Sequence, residues 1–228
     1  MTPEIDVVIP TLNEAASLAH TIAPLRAVTC RVICHVIVCD GGSTDDTQAV
    51  ARDAGAIVIA SGPGRGRQLA AGAAAGDAPW LLFLHADTVL GVGWGESVRR
   101  FVSDNGNSAR AGYFRLRFAS PDPRARRIER LAAWRCRTFG LPYGDQGLLM
   151  ARGYYQHLGG FRPLPLMEDV DLVRRIGRRN LVALDAEAIT SARRYERDGW
   201  LRRPLRNLAC LVLYFAGLPA PLLQRLYR

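Results

Sequence analysis

The chain has no CxxC pair, no low-complexity or Pro/Ser-rich stretch, no internal repeat, and no apolar run that spans a bilayer comfortably. Each absence excludes something. Five cysteines (Cys30, Cys34, Cys39, Cys136, Cys210) form an odd set without ribbon spacing, which argues against a disulfide framework or a zinc ribbon and for buried thiols. With nothing that reads as a linker, 228 residues at 49% hydrophobic content suffice for one well-buried α/β domain. The expected organisation is a domain over 1–200 and a C-terminal helical extension over 201–228. The chain enters a strand by Ile5 without the basic-then-apolar pattern of a signal peptide, so a cytoplasmic location is expected.

What is present begins with charge. The net charge of +9 is carried by arginine, concentrated in 124–137, 174–179 and 193–206. No aromatic-interleaved RNA motif or DNA-binding module accompanies it, and nucleic acid is not an expected partner. Ile5–Pro10, Val32–Cys39, Ala56–Ala60 and Trp80–His85 are short apolar or β-branched runs separated by helical segments. That alternation predicts a mostly parallel sheet with helices on both faces. Asn13 is placed to cap a helix through Leu25, and Ser43 or Thr44 one running to Ala54. Both caps fall at strand C-termini, the edge where open α/β sheets bind ligands. Further on, Gly93–Asp104 and Arg124–Thr138 read as helices and Ala111–Phe118 as a strand. Leu148–Ala151 reads as a short strand, Gly153–Leu158 as a helical turn, and Glu168–Gly177 as a helix. Leu181–Asp185 and Ile189–Tyr195 read as two final strands.

Four clusters stand in order along this frame: Val7-Val8-Ile9-Pro10-Thr11-Leu12-Asn13-Glu14, Val38-Cys39-Asp40-Gly41-Gly42-Ser43-Thr44-Asp45, His85-Ala86-Asp87-Thr88 and Glu168-Asp169. Together they resemble the family-2 inverting glycosyltransferases with the GT-A fold, over roughly residues 5 to 195. The resemblance implies a transfer from a nucleoside-diphosphate sugar (UDP or GDP) to a small or lipid-linked hydroxyl acceptor. It implies that Asp40 accepts a ring N–H of the base, and that the backbone around Pro10, Thr11 and Glu14 lines base and ribose. His85-Ala86-Asp87 stands in the place of Asp-x-Asp: His85 faces the ribose, and Asp87 ligates the Mn²⁺ or Mg²⁺ that neutralises the diphosphate. Asp169, with Glu168 before it, is the implied general base.

Other assignments stay open. Arg65 or Arg67, after Gly62-Pro63-Gly64, reaches the diphosphate or belongs to an ordinary turn; the loop is neither a Walker A loop nor a Rossmann fingerprint. Asp145 and Gln146 contact acceptor or sugar, or only cap a turn. Arg193 and Arg194 approach the phosphates or form a solvated face. Gly144-Asp145-Gln146-Gly147, together with His-Ala-Asp-Thr and Met-Glu-Asp-Val-Asp, is similar to a small bacterial subgroup associated with arsenosugar biosynthesis. Leu208–Leu223 carries no charge but has only 16 residues and includes Pro219 and Pro221. For the tail, three readings remain: packing on the parent domain, docking at the inner membrane surface, and a homodimer contact. Two rival functions also stand. A nucleotidyltransferase should carry a Gly-rich basic fingerprint after the first strand, where Pro10–Glu14 lacks one. A non-catalytic nucleotide-sugar binder is countered by Asp87 and Asp169.

Overall fold

The computed structural model describes residues 4–27 and 32–227. Its strands are β1 (Ile5–Thr11), β2 (Ile33–Asp40), β3 (Ile57–Ala60), β4 (Trp80–Phe83), β5 (Thr88–Leu90), β6 (Ala111–Phe118), β7 (Leu148–Ala151) and β8 (Leu181–Thr190). Its helices are α1 (Ala15–Ala27), α2 (Thr47–Asp53), α3 (Arg65–Ala75), α4 (Trp94–Ser103), α5 (Pro123–Phe139), α6 (Arg152–His157), α7 (Glu168–Ile176), α8 (Arg193–Asp198), α9 (Arg202–Phe215) and α10 (Ala220–Tyr227). The sheet order is β3-β2-β1-β4-β7-β6-β8-β5. The first four are mutually parallel. β7 then runs antiparallel to β4 and β6, β8 parallel to β6, and β5 antiparallel to β8.

β1 is buried at every position, as a strand sandwiched by helices must be. Because side chains alternate along a strand, its residues split between two cores. Ile5, Val7 and Ile9 pack with Leu18 and Ile22 of α1, Ala51 of α2 and Trp94 and Val98 of α4. Val8 faces the other way, to Leu69 and Ala73 of α3, Tyr155 of α6 and Leu172 and Ile176 of α7. Two layers of helix therefore cover one sheet, and all parallel strands point their C-termini to the same edge.

At that edge the expected caps are exchanged between loops. Asn13 does not cap α1; it sits in the left-handed region (φ 56°), and its Oδ1 accepts from Thr44 N at 2.8 Å. Asp45 caps instead, accepting from Ala15 N (3.2 Å) with one oxygen and from Thr47 N (3.1 Å) with the other. Ser43 and Thr47 hydroxyls accept from Asn13 N and Glu14 N. β1 and β2 are parallel neighbours, so the loops leaving them lie side by side and each satisfies the other's orphan donors.

Two further expectations are corrected. Leu181–Thr190 is one strand with an irregularity opposite Tyr113–Arg115, and the extra residues there break the alternation that reads as two strands. Arg193–Asp198 is helix, because at Thr190 the strand has reached the last residue of β6 and the first of β5, and no ladder continues. Cys39, Cys136 and Cys210 are buried thiols, whereas Cys34 is exposed and Cys30 lies outside the described residues.

The tail is tied to the domain on its inner face. Cys210, Leu211 and Leu223 pack with Val170 and Val173 of α7, and the Asp198 carboxylate takes Arg203 (2.7 Å) and Arg206 (2.8 Å) as well as Arg197. Among the described residues no helix is long and apolar enough to cross a membrane.

At the opposite edge of the sheet Asp6 is fully buried, and its Oδ2 accepts from Arg152 Nη2 (2.6 Å) and Ala78 N (2.9 Å). Removing one partner of such a pair strands a buried charge. Asp6→Ala should therefore cost about 3–5 kcal/mol in denaturant unfolding; a loss within about 0.5 kcal/mol, the scale of a surface substitution, would show that the pair does not organise this edge.

Candidate active site

A cleft of about 820 Å³, counted to its open mouth, lies between the sheet's C-terminal edge and the tail. Its lining includes Arg65, His85, Asp87, Asp145, Glu168, Asp169 and Arg194, so sequence-predicted residues from five separate segments meet there.

The chain after β4 turns at His85-Ala86-Asp87. It is held by Thr21 Oγ1 donating to Ala86 O (2.8 Å) and by Ser191 N donating to Asp87 O (3.1 Å). Ala86 is thereby a buried backbone anchor. Burial, reinforced by the Arg65 and Arg194 charges, holds the His85 imidazole well below its ordinary pKa and hence neutral. The half-buried Asp87 carboxylate makes no hydrogen bond or ion pair with any described residue.

Across the cleft α7 begins at Met167, a non-glycine residue in the left-handed region (φ 66°), which turns the chain so that Glu168 and Asp169 open the helix. Glu168 is buried beside Arg65 (3.6 Å). Burial raises its carboxyl to about 7, Arg65 opposes the rise and the Asp169 charge adds to it. Asp169 is half-buried, and its Oδ2 accepts from Gly144 N at 2.7 Å. Gly144 must be glycine: a Cβ there would stand 2.5 Å from His85 Nε2.

Asp145 follows, raised to about 6 by burial, against the pull of Arg135 and with the push of Asp169 and Asp87. Its Oδ1 is buried with no hydrogen-bond partner. Gln146, by contrast, is buried inside the fold. Its Oε1 accepts from Arg135, Cys136 and Tyr143 N, and its Nε2 donates one N–H to Phe114 O at 3.0 Å, so its oxygen is committed to internal donors.

The nucleotide-side residues sit on the adjoining edge. Pro10 and Thr11 are buried at the end of β1. Asp40 is buried too, and its carboxylate accepts from Thr11 Oγ1, Ser43 Oγ, Ser43 N, Gly42 N and Gln48 Nε2. These bonds hold it below the usual carboxylate range despite burial, which acts the other way. Its first task is thus to shape the loop. Glu14 is raised by burial and lies 3.8 Å from Arg194, which links this edge to the cleft. Of the two candidate arginines after Gly64, Arg65 lines the cleft while Arg67 is exposed outside it; two residues apart on a helix, they cannot share a face. Arg193 is likewise exposed and outside the lining, leaving that place to Arg194.

Several lining residues lie outside the motifs: Tyr143, Thr190 and Ser191, and, from the tail, Arg203, Asn207 and Tyr227. Asn207 Oδ1 is a second buried oxygen without a partner. Its one legible signal is an uncharged amide between the arginines that open α9 and the apolar residues that follow.

Comparison with known proteins agrees with this geometry. The sequence model of glycosyl transferase family 2 matches residues 6–162. Glycosyltransferase AglJ of Haloferax volcanii is 41% identical over 91 residues, which is 38% of this chain and 28% of that protein. Glucosyl-3-phosphoglycerate synthase from Mycobacterium tuberculosis, solved with Mn²⁺ and UDP-glucose, is similar in fold. The TM-score is 0.56 at 20% identity, over 83% of this chain and 70% of that one. A mycobacterial protein structure gives 0.56 at 21% identity over 83% and 66%, so the chain spans about two thirds of that relative. With the matched region running from β1 to the turn before α7, on a sheet shared with these structures, the chain is a member of glycosyl transferase family 2.

Proposed function

We propose that the chain moves a sugar from a nucleoside-diphosphate sugar, UDP- or GDP-linked, to an acceptor hydroxyl with inversion at the anomeric carbon. One observation carries the reading: the partner-free Asp87, the neutral His85 and the Glu168-Asp169 pair face one cleft between two arginines. Asp169 takes the acceptor's proton as its oxygen attacks opposite the diphosphate, and no second nucleophile is needed. Glu168, raised by burial, keeps its proton longer than a free carboxylate as pH rises. Arg65 and Arg194 stand where the leaving diphosphate gathers charge. The two orphaned oxygens, Asp145 Oδ1 and Asn207 Oδ1, suit hydroxyls of a sugar. At Asp40, Gln48 Nε2 is the side-chain donor that a base N–H can displace.

Mn²⁺ or Mg²⁺ fits Asp87, an open carboxylate with no protein partner, flanked by a neutral imidazole. The ion would supply charge neutralisation to the diphosphate. Structural neighbours have been solved with Mn²⁺ or Mg²⁺ together with UDP. The arsenosugar-associated subgroup remains a proposal on the Gly-Asp-Gln-Gly, His-Ala-Asp-Thr and Met-Glu-Asp-Val-Asp motifs alone.

The tail bears on the acceptor. Leu201, Leu205, Leu208, Val212 and Phe215 are all exposed and recur at spacings of four and three, one stripe along α9; Leu222 and Leu226 extend the apolar surface on α10. No Asp or Glu occurs from Gly199 onward, and Arg202 and Arg225 are exposed. An apolar stripe with only cationic neighbours suits an anionic lipid surface better than a second copy of itself. The inner face of the same helices lines the cleft, which would set its mouth beside the bilayer and favour a lipid-linked acceptor.

Asp169→Asn should leave donor affinity intact and lower transfer by roughly 10²–10⁴-fold, with Glu168→Gln costing less. Near wild-type transfer by Asp169→Asn, or a product that keeps the donor's anomeric configuration by NMR, would overturn the mechanism. Asp87→Ala should abolish the metal-dependent part of nucleoside-diphosphate binding in calorimetry and spare the free nucleoside. Ionisation of Asp145, raised to about 6, and of Glu168, raised to about 7, adds negative charge to the cleft as pH increases through those values, so Mn²⁺ affinity should strengthen from pH 5.5 to 7.5 with proton release. Flat affinity across that range would detach both carboxyls from the metal field. Vesicles of phosphatidylcholine with phosphatidylglycerol should sediment the wild type and not Leu208→Glu/Val212→Glu. Equal recovery with neutral vesicles would remove the anionic preference, and no recovery of the wild type, or a dimer in light scattering that the double variant dissolves, would remove the lipid surface.

A further inference from the structure

The parallel ladder between β1 and β2 is regular from Asp6↔His35 to Thr11↔Asp40, but one step earlier Ile5 pairs with Ile33. Cys34 is therefore an extra residue, the bulge of β2. In an unbroken strand, residues 34 and 35 would point to opposite faces. A bulge re-aims a side chain, and here it brings Cys34 Sγ to 3.7 Å from His35 Nε2.

The other ring nitrogen is fixed as well. His35 Nδ1 lies 2.9 Å from Asp6 Oδ1. That carboxylate cannot turn away, since its second oxygen is held by Arg152 Nη2 and Ala78 N. Gly76 closes the cradle: a Cβ there would stand 2.1 Å from Asp6 Oδ2. With a carboxylate oxygen at hydrogen-bond distance to accept from it, Nδ1 is the donor nitrogen, and Nε2, on the side where Sγ lies, keeps its lone pair. Asp6, Cys34 and His35 each offer a ligand atom within 4.8 Å of the others. The thiol is exposed and the imidazole about 39% exposed, so an ion can reach both from solvent.

We propose that Cys34 and His35 bind a thiophilic divalent ion of the Zn²⁺ class, with Asp6 orienting the histidine from behind. The geometry points to that class by distance and by donor type. At Zn–S of about 2.3 Å and Zn–N of about 2.0–2.1 Å, two donors of a tetrahedral ion sit about 3.6 Å apart, close to the separation found here. A thiolate and an imidazole select zinc or cobalt over magnesium or manganese. A carboxylate on the far nitrogen of a ligating histidine is the arrangement that sets its tautomer and raises its basicity. On binding, the thiol proton leaves to solvent, the sulfur–metal bond forms, and nothing is oxidised. Water fills the remaining positions. The site lies at the N-terminal edge of the sheet, the opposite edge from the cleft. It is independent of the proposed transfer reaction and of the hard-ion position at Asp87. Its effect would be to clamp the bulge of β2 to β1 and, through Asp6, to Arg152.

Co²⁺ titrated into the tag-free protein reports it directly, because a sulfur-to-cobalt charge-transfer band in the near ultraviolet requires a thiolate ligand and the cleft lining contains no cysteine. The wild type should show the band at one ion per chain, Zn²⁺ should displace it, and Zn²⁺ should raise the melting temperature by mass action. Cys34→Ser should lose the band and the thermal shift, and His35→Ala should weaken both. Both substitutions fall at accessible side chains, and circular dichroism melts without metal confirm that each variant folds. No thiolate band in the wild type at millimolar Co²⁺, or a band that survives in Cys34→Ser, would overturn the site.

Discussion

Four carboxylates, those of Asp87, Asp145, Glu168 and Asp169, line one cleft, and the cost of burying two of them, Asp145 and Glu168, beside the others is the constraint on which its architecture depends. Burial raises Asp145 and Glu168, and the neighbouring charges raise them further. The counterweights are few and specific: Arg65 beside Glu168, and Arg135 acting on Asp145 while stacked 3.4 Å over the Tyr143 ring. His85, lowered by burial and by the Arg65 and Arg194 charges, is neutral in the same cleft and adds no charge of its own.

The supports of this arrangement come from far along the chain. Gln68 of α3 donates to Thr11 O (2.7 Å) and Cys39 O (2.8 Å), stapling the ends of β1 and β2 below the loops that cap one another. Gly144 lets the turn before β7 touch both His85 and Asp169. The family match ends at residue 162, before the acidic pair. The second half of the cleft, including α7 and the two tail helices, lies outside that matched region.

The tail has two unlike faces. Its inner side is committed to Val170, Val173 and the cleft, and three arginines on Asp198 fix its entry angle. Its outer side is an exposed stripe of leucine and valine that ends at Phe215, over whose ring Arg174 sits. On α5, Leu131, Trp134 and Phe139 are exposed among Arg127, Arg130 and Arg137, a similar composition on a separate helix. Packing on the parent domain thus describes half of the tail and leaves its outer half unpartnered.

The sequence by itself determined the βα alternation, the placement of motifs at strand ends, and the identity of His85, Asp87, Glu168 and Asp169 as companions. Those follow from apolar periodicity and from short motifs whose chemistry is local. Tertiary structure decided what each side chain has left to offer. Gln146 looks like a ligand group in the chain, yet its oxygen is committed to internal donors, and Asp40 holds its own loop through Ser43 and Gln48 before any base arrives. Arg65 and Arg67 are equivalent as letters, and helix phase alone turned one inward. Asp45 took the cap expected of Asn13 because a neighbouring parallel strand delivered it. Asn207 and Tyr227 reached the cleft across some forty to sixty residues from the acidic pair. Hydrogen-bond capacity is finite, and its allocation depends on which groups the fold brings within about 3 Å; no local pattern of residues encodes that.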